Sequence, residues 1–199
     1  MTDSMQLGDV LPVGSAGKRS GGWWGMLTLV VTEGSLFSYL VFSYFYLASQ
    51  TQQQWPPEGL PDLLMPGFST FLLFISSFFI WLSEYCLRKI RPWWSFLSLA
   101  IAFILGTCFV IIQLNQWSMN PYSLTANLYG SLFFTITGFH VLHVAAGLII
   151  LAYLLLWIAL GYFDDKRHAA VTIGGLYWHF VNFIGILIFC TLYLSPYLY

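Results

Sequence analysis

Five long apolar stretches, separated by short polar connectors, run through this chain from residue 22 to residue 194. They cover about Gly22–Ala48, Leu63–Leu87, Trp93–Leu114, Leu128–Leu160 and Ala170–Leu194. Each is long enough for a helix to cross a hydrocarbon core of about 30 Å, which takes roughly 20 residues. The fourth exceeds that need and is expected to tilt or to emerge from the bilayer at one end. The pattern predicts an all-α integral membrane protein with five transmembrane helices in one domain, residues 22–199, after a flexible polar tail, residues 1–21. That tail has no apolar stretch ahead of a small-residue cleavage site, so no secretory signal is expected. No internal repeat is visible.

Composition supports a bilayer as the solvent. The chain is 58% apolar, 20% aromatic and only 8% charged, with a mean hydropathy of +0.75. A soluble domain carries about a quarter charged residues. The placement of charge then sets the orientation. All seven basic residues (Lys18, Arg19, Arg88, Lys89, Arg91, Lys166 and Arg167) fall in the tail, the second-to-third connector or the fourth-to-fifth connector. With five crossings these places lie on one side of the membrane, so the N-terminus is expected inside and the C-terminus outside. Adding or deleting a helix would scatter the basic residues over both faces. Cys86, Cys108 and Cys190 lie in apolar runs without metal-like spacing and read as small embedded hydrophobes.

Few polar groups fall inside the predicted helices. Glu84 precedes Arg88 by four residues, which puts both on one helix face as an interfacial ion pair. Glu33 lies well inside the first helix, near the bilayer midplane, with no basic residue within a turn. An ionised carboxylate there is expensive, so a functional role in proton handling, gas access or lipid binding is weighed against a neutral structural acid bonded to Thr32, Ser35 or Ser38. His140 and His143 share a face of the fourth helix, and His179 lies in the fifth. That spacing could serve a metal, but no Glu-x-x-His partner motif is present. Interhelical hydrogen bonding is the expected role, with Gly138, Ala145, Ala146 and Gly147 letting helices approach closely. No haem-attachment motif and no phosphate-binding glycine loop occur, so no catalytic centre, cofactor site or metal site is expected on this chain.

Four stretches carry a resemblance to a known family. The run from Tyr129 to Val144, containing Gly138-Phe139-His140 and His143, resembles the signature helix of subunit III of the haem-copper terminal oxidases. Tyr177-Trp178-His179-Phe180-Val181-Asn182 is similar to the opening of that family's last helix. Glu33 and the aromatic run after it resemble the family's Ser-Glu segment, and Trp55-Pro56-Pro57 the connector that follows. Order and spacing agree from Trp23 to Tyr193, in the five-helix form common in bacteria. Departures are Val141 for a glycine, Thr32 for a serine, Asn182 for an aspartate, and Gln116-Trp117 for a Glu-Tyr pair. The two lost acids suggest that polar links to the neighbouring subunit are rebuilt or missing.

The resemblance implies an accessory subunit of a proton-translocating terminal oxidase in the inner (plasma) membrane of a bacterial cell. Haem and copper would belong to subunit I, its direct partner, with subunit II in the same complex. A bound phospholipid is implied, Glu33 lying in a lipid- or proton-related region, and no nucleic acid partner is expected. His140, His143, His179 and Asn182 would serve helix packing. Partnership with a quinol oxidase or a nitric oxide reductase stays open, and so, more remotely, does a free-standing transporter.

Overall fold

A computed structural model describes residues 21–51, 55–57, 59–119, 124–125, 127–162 and 169–198. The predicted tail, apart from Gly21, lies outside the described residues, as do Lys18, Arg19, Lys166, Arg167 and His168. The described chain is helical: α1 Gly21–Gln50, α2 Leu64–Arg88, α3 Pro92–Met119, α4 Leu128–Ala159 and α5 Ala169–Phe189. A π-helical turn, Cys190–Leu194, and a 3-10 turn, Ser195–Tyr197, continue α5. Pro196 accounts for the widened turn, because its ring would clash with the carbonyl four residues back in a regular helix. All five helices are long and apolar enough to span a membrane.

Local chemistry sets the ends. The Asn127 side chain caps α4 by accepting from the Gly130 N–H at 2.6 Å. Asp62 accepts from the Leu64 N–H at 3.1 Å at the start of α2. Between α2 and α3 the chain reverses in a few residues, with Ile90 at φ 56°, a conformation that a β-branched residue adopts only under strain. Pro92 then opens α3, where a missing N–H costs nothing. α3 runs to Met119, beyond the predicted end at Leu114, because a polar run at a membrane boundary does not stop a helix. Ser118 even bonds back to the Asn115 carbonyl at 2.9 Å.

α2, α3, α4 and α5 pack as a square, α2 against α3 and α5, and α4 against α3 and α5. α1 lies outside it, against α5 and α4. Buried positions on α4 (Phe133, Thr137, His140, Val144, Gly147, Leu151, Leu154, Ile158) recur at alternating intervals of four and three. On α2 the same rhythm alternates Ser69, Ser76 and Ser83 with Leu73, Ile80 and Leu87. This is the seam of helices packed at a shallow left-handed angle, with small residues admitting the neighbour's large ones.

At the centre stands Trp178 of α5, fully buried. Its ring fills the space left by two glycines. A Cβ on Gly106 of α3 would lie 2.6 Å from the indole, and one on Gly147 of α4 would lie 2.8 Å from it. The indole N–H donates to Ser76 Oγ of α2 at 2.9 Å. Of the four small residues expected to admit a neighbour, only Gly147 does so. Gly138 has nothing within 4 Å of a built Cβ, and Ala145 and Ala146 are exposed. Gly147→Ala is therefore expected to destabilise the bundle by about 1–3 kcal/mol through overpacking. Gly138→Ala should cause no loss. Thermal unfolding of the two variants in one detergent checks this, and equal stabilities would contradict the close packing.

Candidate functional site

α1 and α4 meet at a polar pair. Nε2 of His143 lies 3.1 Å from Oε2 of Glu33. The other ring nitrogen, Nδ1, lies 2.6 Å from the Phe139 carbonyl, one turn back on α4. A carbonyl oxygen only accepts, so Nδ1 carries a proton. Nε2 then either donates to a carboxylate, as imidazolium, or accepts from a protonated carboxyl. In both cases one proton lies between Nε2 and Oε2, and the pair is neutral overall. That answers the cost of an isolated carboxylate at membrane depth.

The pair is held from several sides. Tyr177 Oη of α5 donates to the His143 carbonyl at 3.2 Å, and the Phe37 ring meets the imidazole edge-to-face at 5.1 Å. The site is open on one flank: the His143 side chain is 11% exposed, whereas that of Glu33 is 34% exposed. The acid thus stands at the α1–α4 edge of the chain. Thr32, Ser35 and Ser38, expected as its hydrogen-bond donors, do not reach it. Their hydroxyls donate to Leu29, Val31 and Gly34 carbonyls at 2.8, 2.9 and 2.7 Å, so each is spent on its own helix.

The other histidines serve other contacts. His140, buried, faces the Val181 carbonyl of α5 at 3.2 Å and the edge of Phe109 at 5.5 Å. Gly185 makes that approach possible, since a Cβ there would lie 3.1 Å from Nε2. One step around α4 from His143, His140 therefore addresses a different helix. Nδ1 of His179 pairs with the Ser77 hydroxyl of α2. Among the described residues no group of three or more His, Cys, Asp or Glu side chains is gathered as a metal would require. At the other end of the bundle Glu84 pairs with Arg88 in the expected i,i+4 geometry. It also accepts from Thr172 Oγ1 of α5 at 2.7 Å.

Asn182 and Gln116 stand where the resemblance leads one to expect acids, with polar links to the neighbouring subunit rebuilt or missing. Asn182 is buried and donates to the Trp178 carbonyl at 2.8 Å. The amide atoms of Gln116 are covered too. The sequence-based reading missed Ser77, Thr172 and Tyr177 as partners. Only the i,i+4 pair Glu84–Arg88 has a spacing signal; contacts between helices have none in a single sequence.

Comparison with known proteins points to one family. A family model described as cytochrome c oxidase subunit III matches residues 11–197. Cytochrome c oxidase subunit 3 of Thermostichus vulcanus is 30% identical over 178 residues, 85% of each chain. That of Synechocystis sp. is 32% identical over 180 residues, 86% of this chain and 74% of the relative. The Homo sapiens protein of the same name is 27% identical over 177 residues, 85% of this chain and 68% of the relative.

The geometry makes Glu33 and His143 energetically coupled. In a double-mutant cycle of Glu33→Leu and His143→Leu, unfolding in detergent should give a coupling of roughly 0.5–1.7 kcal/mol, the range of polar contacts between membrane helices. Strictly additive losses would mean that the pair carries no bond.

Proposed function

The chain belongs to the cytochrome c oxidase subunit III family, and we propose that it is the accessory subunit of a haem-copper terminal oxidase. It is a multi-pass membrane protein and a subunit of an oxidase complex of the respiratory chain. In the proposed complex subunit I holds the haem and copper that reduce dioxygen, and it is this chain's direct partner. Subunit II belongs to the same assembly. This chain stabilises subunit I, holds phospholipid, supports proton translocation and carries no redox centre.

One observation carries this reading. Each described histidine or carboxylate within the helices is engaged by a neighbour in the same chain: Glu33 with His143, Glu84 with Arg88 and Thr172, His140 with Val181, His179 with Ser77. These groups hold helices together. Glu33 alone combines a half-buried partner with an open flank, and there it can meet a neighbouring subunit or a lipid headgroup while staying neutral with His143.

We place the N-terminus on the inner face of a bacterial plasma membrane and the C-terminus outside, from the one-sided distribution of lysine and arginine. An impermeant amine reagent should then label Lys89 in opened membranes and leave it unlabelled in sealed cells. Labelling in sealed cells would reverse the orientation.

Glu33→Gln tests the accessory role. The variant should assemble and keep dioxygen reduction, because no redox group depends on Glu33. Sustained turnover or proton translocation should decline, because the shared proton of the Glu33–His143 pair is gone. Glu33→Ala should also impair assembly, leaving His143 unpaired beside a cavity. Complete loss of dioxygen reduction in a fully assembled Glu33→Gln complex would contradict the accessory role. Unchanged turnover, lifetime and lipid content in both variants would make Glu33 a bystander.

A further inference from the structure

Gln113 of α3 is only 6% exposed, and its Nε2 has no hydrogen-bond partner among the described residues. An unpaired amide is costly to bury anywhere, and more so at membrane depth, where bulk water is absent. The side chain lines a half-open cavity of about 20 Å³ together with Ser69 and Thr70 of α2 and Thr137 and His140 of α4.

The hydrogen-bonding inventory of that cavity is one-sided. Ser69 and Thr70 both donate to the Pro66 carbonyl, at 3.0 and 2.8 Å. Thr137 donates to the Phe133 carbonyl at 2.7 Å and accepts from Trp117 Nε1 at 3.2 Å. Each hydroxyl has thus spent its proton and keeps a lone pair. His140 directs Nε2 at the Val181 carbonyl, so Nε2 holds the proton and Nδ1 of the neutral ring is an acceptor. Acceptors from α2 and α4 therefore share one cavity with an unpaired donor from α3, and none of them is within hydrogen-bond reach of that donor.

A molecule that accepts one N–H and donates two protons satisfies both sides. A water needs about 10–15 Å³ of such space, so the cavity has room for one. We propose that this cavity is a binding site for one structural water. That water accepts from Gln113 Nε2 and donates to oxygens or nitrogens of α4 and α2. Since His140 is already bonded to α5 and Trp117 to Thr137, the water completes a hydrogen-bonded network through α2, α3, α4 and α5 at one depth. Gln113 is then a water ligand, a role independent of the partner subunits.

Electron cryo-microscopy of the intact complex, at a resolution that shows ordered waters, tests this for the wild type and for Gln113→Met. The expected wild-type map has a peak within hydrogen-bond reach of Gln113 Nε2 and of at least one of Ser69, Thr70, Thr137 and His140. Gln113→Met, similar in volume without the donor, should lose it. A wild-type cavity with no peak, a Gln113 amide turned onto a protein group, or a water that persists beside Met overturns the proposal. Where Gln113→Met does not assemble, the wild-type map decides alone.

Discussion

The indole of Trp178 is the contact around which the bundle is arranged. Inside a bilayer apolar surface gains little by meeting apolar surface, so helices associate through close packing and the few polar bonds available. Trp178 supplies both. Its ring occupies the room left by Gly106 on α3 and Gly147 on α4, and its N–H bonds Ser76 on α2. One side chain of α5 thereby fixes the distance to three other helices. α1, which lies outside the square, takes its place from α4 and α5 once these are set.

That arrangement decides what the polar residues can do. With α4 oriented by Gly147 against Trp178, His140 turns towards α5 and His143 towards α1. Neighbours on one helix thus acquire separate partners, and neither is left to assemble a ligand set with the other. The proton between Glu33 and His143 makes a carboxyl group tolerable in the membrane without a net charge on the pair. The flank of Glu33 stays open at the edge where α1 meets α4.

Much of this was legible in the sequence. Helix number followed from the lengths of the apolar runs, since span length is set by the bilayer and not by tertiary contacts. The Glu84–Arg88 pair followed from helical spacing. Other features had no local signal. Most positions on α4 are apolar on both sides, so its buried stripe does not stand out from the opposite one, and Gly138 and Gly147 looked alike although only Gly147 faces a ring. Thr32, Ser35 and Ser38 looked like partners for Glu33 because sequence proximity was the only guide. In a helix short hydroxyl side chains bond back to their own backbone, and the true partner stands 110 positions away. The end of α3 was missed because loss of hydropathy marks the membrane boundary, which need not be the helix boundary.

The most direct measurement is purification through a tag on this chain in mild detergent, followed by an optical spectrum and metal analysis of what accompanies it. An accessory subunit of a haem-copper oxidase should bring with it a haem absorbance that shifts on reduction, together with copper, both carried by other polypeptides. Recovery of the chain alone, monodisperse, in full yield and without haem, would contradict that account.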